Sequence, residues 1–148
     1  MDAEKRLNEL IDRDEIQRLI IQYCNALDAK DWVGAGGVFT EDQRESRTKG
    51  LSNVRQTATT LMPIDHIEHQ QHAASNFEIS IDGDAASSFC ACRTYVVGTR
   101  GREPILLIRG ITYTDKLVRT SEGWKIKERA HRLIWMTESK TIEGAHVS

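Results

Sequence analysis

No apolar run in this chain of 148 residues approaches the ~18 residues of a membrane-spanning helix; stretches such as Ile105–Ile108 are only strand-length. The opening MDAEKRLNEL carries charge where a secretion signal has its apolar core. Cysteine is sparse and odd in number, with Cys24, Cys90 and Cys92 making no disulfide framework, so the chain reads as a reduced, cytoplasmic protein. Charge of one sign is not in excess either: 20 Lys and Arg stand against 22 Asp and Glu, net −2. The basic residues are spread along the chain, which argues against nucleic acid as a partner, since phosphate neutralisation needs a basic patch. The one basic run, Lys125 to Arg129, alternates with Ile126 and Glu128 as a strand with one wet face does. A glycine-rich phosphate loop, a nucleophile elbow and a dinucleotide fingerprint are all missing, and no cofactor is expected.

What remains is a chain of the size of one domain, residues 1–148, able to bury about two thirds of its unfolded surface. Its two halves differ in period. Asp12-Arg13-Asp14-Glu15 has the form of a capping box, and Ile16, Leu19, Ile20, Tyr23 and Leu27 follow at helical spacing, with Asp28 just beyond. Asp31 caps a short second helix through Phe39, Glu41–Gly50 reads as a loop with one short strand, and Ser52 starts a third helix through about Thr60. Pro63 closes the helical half. From Ile64 the period becomes alternating, giving strands Ile64–Ile81, Ala85–Gly98, Ile105–Val118 and Trp124–Met136, separated by turns at Asp82-Gly83-Asp84, Arg100-Gly101-Arg102 and Ser121-Glu122-Gly123. Residues 137–148 are expected to be a partly mobile tail. Helices followed by a strand meander predict an α+β fold, with the N-terminal helices packed on a curved antiparallel sheet.

Asp28 and His72 are the candidates for chemistry. A carboxylate that accepts a hydrogen bond from one imidazole nitrogen fixes the tautomer and leaves the other nitrogen to take a proton. Strict alternation opposes the pairing, because Ile67, Phe77, Ile79 and Ile81 occupy odd positions whereas His72 and Asn76 are even. A β-bulge near Glu68–Gln71 would re-aim His72. His66, His69 and His72 invite a metal reading, but on a strand His69 points away from the others, and no metal is expected. Cys90 and Cys92 read as buried thiols. His131 shares parity with Arg129, Leu133 and Trp135 and can line the same pocket, as a second acid or base or as a partly exposed strand histidine. Asn76 can hold the pocket edge or satisfy backbone groups.

These residues, in order, resemble the SnoaL-like branch of the nuclear-transport-factor-2-like superfamily. The resemblance rests on Tyr23, Leu27-Asp28, Asp31-Trp32, Phe39-Thr40-x-Asp42, His72-x-x-x-Asn76, Asp82-Gly83-Asp84-Ala85 and Gly123-Trp124-Lys125-Ile126. It implies a cone-shaped α+β barrel with a pocket between helices and sheet, assembled as homodimers or homotrimers, whose enzymes eliminate water or HCl with a His–Asp pair. The implied catalytic set is His72 as general base, Asp28 orienting it, Tyr23 as hydrogen-bond donor and Arg129 as positive charge, either toward substrate or paired with Asp28. Asn76, His131, Trp135 and Phe39 are the substrate-binding candidates. The reading is a cofactor-independent lyase of dehydratase type acting on a small or medium apolar ring, polyketide-like or steroid-like substrate. The alternatives are an isomerase or cyclase using the same base, and a non-catalytic binding module or structural small subunit.

Overall fold

The computed structural model describes residues 2–53 and 63–140. Helix α1 spans Ala3–Asp28, α2 Trp32–Gly36 and α3 Glu41–Asn53; the strands are β1 His66–Asp82, β2 Ala85–Arg100, β3 Glu103–Thr120 and β4 Gly123–Lys140. The strands form a four-stranded antiparallel meander in the order β1-β2-β3-β4. The fold is the expected α+β, but the curved sheet is open, with β1 and β4 as its edges, where the resemblance implied a barrel. The turns carry Gly83, Gly101 and Gly123 at φ of 60°, 62° and 92°, the left-handed backbone that tight hairpins require.

Several boundaries differ from the sequence reading. Helix α1 begins at Ala3, where Asp2 accepts from the Lys5 backbone N–H at 2.8 Å. Asp12 lies inside the helix, and its carboxylate is satisfied by Arg119 and Trp124 instead of by a helix end. The segment after Glu41 is helix α3 and not a loop with a strand; Ser52 falls in its last turn, and the expected continuation toward Thr60 lies outside the described residues. The strand contact expected after Glu41 is made earlier, by the backbone around Phe39, which pairs in parallel with Ile126. Strand β4 runs to Lys140, so residues 137–140 are sheet and not tail, and Glu143–Ser148 lie outside the described residues.

The predicted stripe of α1 is the one that packs. Ile16, Leu19, Ile20, Tyr23 and Leu27 are buried, joined by Val38, Phe39, Cys90, Ile111, Tyr113, Leu117, Trp124 and Ile126 in one core between helices and sheet. Asp31 caps α2 by accepting from the Gly34 N–H at 2.9 Å. Helix α1 ends with Lys30 in a left-handed conformation, φ 58°, and with the Asp31 N–H bonded to the Ala26 carbonyl at 2.8 Å, the wrap that stops a helix.

Strand irregularities decide which side chains face the helices. In β1 the register shifts between Ile67 and His69 and again between Ser75 and Glu78. Ile67 is buried; past the first shift the less exposed positions are Glu68, Gln70, His72 and Ala74, and past the second they are Phe77, Ile79 and Ile81. One added residue at Glu68 therefore turns His72 inward, and another, where Asn76 stands at φ 56°, turns the strand back. Gly98 faces Ile67 at the first bulge, where a Cβ would stand 2.1 Å from the His66 carbonyl oxygen. In β4 the register shifts opposite Lys116/Leu117 and Gly110/Ile111.

Candidate active site

Asp28 holds His72 by two bonds. One carboxylate oxygen lies 2.6 Å from His72 Nδ1, and the other accepts the His72 backbone N–H at 2.9 Å. The imidazole is 6% exposed and the Asp28 carboxylate 22%. Because a carboxylate only accepts, the neutral ring carries its proton on Nδ1, leaving Nε2 with a lone pair. The first bulge of β1 makes this possible, so the odd–even conflict in the sequence is resolved by geometry.

Facing partners across the sheet place the other side chains. His72 pairs with Thr94, Thr94 with Arg109, Tyr113 with His131, and Asp115 with Arg129. Arg109 is buried, and its Nε donates to Thr94 Oγ1 at 3.0 Å. Sequence reasoning missed Arg109, Thr94 and Asp115, although all have the inward parity of β2 or β3.

Arg129 pairs with Asp115, not with Asp28. Nε and Nη2 donate to the two oxygens at 2.7 and 2.6 Å, with both side chains almost wholly buried. The guanidinium lies over the rings of Tyr23, at 4.4 Å, and Tyr113, at 4.1 Å, with Phe39 at 5.9 Å. Tyr23 meets Phe39 and Tyr113 edge to face at 5.9 and 5.8 Å. Arg129 Nη1 is buried with no hydrogen-bond partner among the described residues. Burial raises the Tyr23 phenol above its usual value, and the Arg129 charge opposes this. Arg129 is thus brought beside Tyr23 and Phe39, and its electrostatic influence reaches His131.

His131 is on the same face as Tyr113, its ring 5.7 Å from the tyrosine ring. The residue is exposed at the sheet surface, with its ring partly covered; that partial burial disfavours the charged form, and Arg109, Arg129 and His72 lower its pKa further. Asn76 is exposed and serves the second bulge. Trp135 is opposite Gly110, and its indole covers that glycine on the outer face, so the extra residue near Ile134 turns it away from Arg129 and His131. This corrects the shared parity read from sequence. Phe39 is 1% exposed and is a core residue behind Arg129. Cys24, Cys90 and Cys92 are free and buried, and burial pushes the Cys90 thiol up to about 12. His66 and His69 are exposed, apart from the inward-facing His72.

The helices and the curved, open antiparallel sheet together define a class of α+β proteins. The chain belongs to the SnoaL-like domain family, whose model matches residues 8–130. It is 32% identical over 127 residues to the uncharacterized protein Rv2910c of Mycobacterium tuberculosis, covering 82% of this chain and 84% of the relative. Among solved structures it resembles hexachlorocyclohexane dehydrochlorinase LinA-type3 from Novosphingobium barchaimii, with TM-score 0.74 and 17% identity over 97% of this chain and 98% of the other. An NTF2-like protein with a cystatin-like fold from Novosphingobium aromaticivorans matches at TM-score 0.65 and 22% identity, covering 88% and 87%. At these identities the structural likeness establishes the fold. No helix among the described residues is long and apolar enough to cross a membrane.

Proposed function

We propose that this protein is a cofactor-independent lyase that eliminates HX, with X a hydroxyl in the favoured dehydratase reading, from a small or medium cyclic, polyketide-like or steroid-like substrate. The observation that carries the reading is the Asp28–His72 contact at 2.6 Å, with Asp28 also gripping the His72 backbone N–H. His72 Nε2 takes the proton from the carbon beside an activating carbonyl, and the electron pair forms the enolate. Collapse of the enolate expels X from the next carbon, X leaves as HX with the proton that the imidazolium returns, and a carbon–carbon double bond remains. Asp28 stabilises the imidazolium that forms. A positioned base of this kind contributes about 10²–10⁴-fold.

Arg129 and Tyr23 are proposed to stabilise the oxygen that gains charge. Since Asp115 neutralises the guanidinium, the contribution of Arg129 is the Nη1–H donor rather than a full positive charge. His131 lies near the same rings and is the proposed contact for the leaving group or the substrate edge. The working form is a homodimer or homotrimer, which sedimentation analysis tests.

An isomerase or cyclase would use the same enolate without loss of X. Incubation of cyclic β-hydroxyketones with the protein in deuterated water separates the two. Enone with release of water supports elimination, whereas deuterium at the α-carbon without enone identifies the isomerase or cyclase chemistry. If neither occurs with a panel of ring sizes up to a steroid, the non-catalytic reading replaces both.

A further inference from the structure

Lys30 occupies a place where glycine would be more comfortable. It follows the end of α1 in left-handed backbone, φ 58°, a conformation costly for a residue with a Cβ. Its ammonium reaches across to β1, lying 3.4 Å from the Ile67 carbonyl oxygen and 3.2 Å from that of Glu68. Those carbonyls flank the added residue that turns His72 inward. Gln70 Nε2 makes the reciprocal bond, to the Leu27 carbonyl of α1. One short span of strand is therefore tied to one helix end by Lys30, Gln70 and the Asp28–His72 contacts.

We propose that Lys30 is a positioning residue: its ammonium holds the Glu68 bulge against the end of α1 and so keeps His72 in register with Asp28. Lys30 is the helix-end side chain that bonds both carbonyls at the bulge, and a one-residue slip there would carry His72 to the opposite face. A long side chain at a left-handed position fits a role for that side chain, since the backbone alone would favour glycine. The inference rests on the dyad reading for its functional meaning, but its geometry can be tested without turnover.

The test is the tautomer of His72, read by long-range ¹H–¹⁵N correlation of the imidazole at a pH where the ring is neutral. Wild type should show a single Nδ1–H tautomer, and Asp28→Asn should lose it. Lys30→Gly relieves the backbone and should melt at or above the wild-type temperature, yet show mixed tautomers, as should Lys30→Met. Lys30→Arg should keep the single Nδ1–H form. Wild-type-like spectra for both Lys30→Gly and Lys30→Met would overturn the proposal while leaving the lyase reading intact. A single tautomer that depends on Lys30 in a protein without turnover would sink the lyase reading alone. Mixed tautomers in wild type would sink both.

Discussion

Asp115 grips Arg129 with two bonds, 2.7 and 2.6 Å, inside a ring of Tyr23, Tyr113 and Phe39, and so commits the guanidinium away from Asp28. The consequence for chemistry is that Arg129 does not compete with His72 for the Asp28 carboxylate. The consequence for stability is large. Removing one member of a buried pair strands the other, which costs about 3–5 kcal/mol. Asp115→Asn should lower the free energy of urea unfolding by that order, and Asp115→Leu with Arg129→Met should recover much of the loss. Equal destabilisation by the single and the double variant would contradict the pairing.

Gly98 and Gly110 should respond differently to alanine. A Cβ at Gly98 would meet the His66 carbonyl oxygen at 2.1 Å, a backbone atom at the bulge that turns His72. At Gly110 it would meet the Trp135 indole at 2.2 Å, and that side chain, 45% exposed, has room to swing. Gly98→Ala should therefore cost about 2–3 kcal/mol, in the upper part of the overpacking range, and Gly110→Ala about 1 kcal/mol. Thermal unfolding of the two variants measures the contrast.

Asp12 links acid stability to the Arg119–Trp124 corner. The Arg119 hydrogen bond is the main cause of its lowered pKa, opposed by burial and assisted by the Trp124 N–H. Because the folded value lies below the unfolded value near 3.8, the unfolded chain binds the proton first as pH falls. The stabilisation is complete above that pH and is lost as pH drops through the folded pKa. Asp12→Asn should be less stable than wild type at neutral pH, by about 2–3 kcal/mol for charged hydrogen bonds lost, and the gap should narrow below pH ~4. Urea titrations across pH measure this.

His131 acts in a higher window. Partial burial of this otherwise exposed residue first, then Arg109, Arg129 and His72, depress its pKa below 6.5, so unfolding takes up a proton as pH falls past that value. Its effect on stability is absent well above pH 6.5 and grows until the folded pKa is reached. His131→Asn should flatten the loss of thermal stability just below pH 6.5 while leaving the Asp12 limb in place.

The parts of this structure that repeat were legible in the sequence, and the parts that interrupt a repeat were not. The α1 stripe from Ile16 to Leu27 and the glycine turns of the meander follow from spacing alone. The α1 start was obscured because Asp12 looks like a cap; yet it stands four residues before Ile16 on the same stripe, a position that marks a buried carboxylate in need of a cation. Helix α3 carries almost no apolar period and is held by packing on α2 and by pairs such as Glu45–Lys49, 2.6 Å apart, so hydropathy misreads it as loop. The bulge that turns His72 could be demanded by the conflict of parities, whereas the one near Ile134 left no such conflict, and Trp135 was assigned to the wrong face. Asp115 shares its parity with Tyr113 and Leu117, so a lone acid in an otherwise inward row was the readable sign of a partner for Arg129.

The central claim is that His72, oriented by Asp28, removes the substrate proton that starts the elimination of HX. The direct measurement is the rate of enone formation from the cyclic β-hydroxyketone panel by wild type, His72→Ala and Asp28→Asn, with circular dichroism to verify the fold. The account predicts turnover by wild type, a fall of about 10²–10⁴-fold in His72→Ala, and a large loss in Asp28→Asn with the sheet intact. Wild-type turnover by His72→Ala, or no enone from any of the three above the buffer rate, would contradict it.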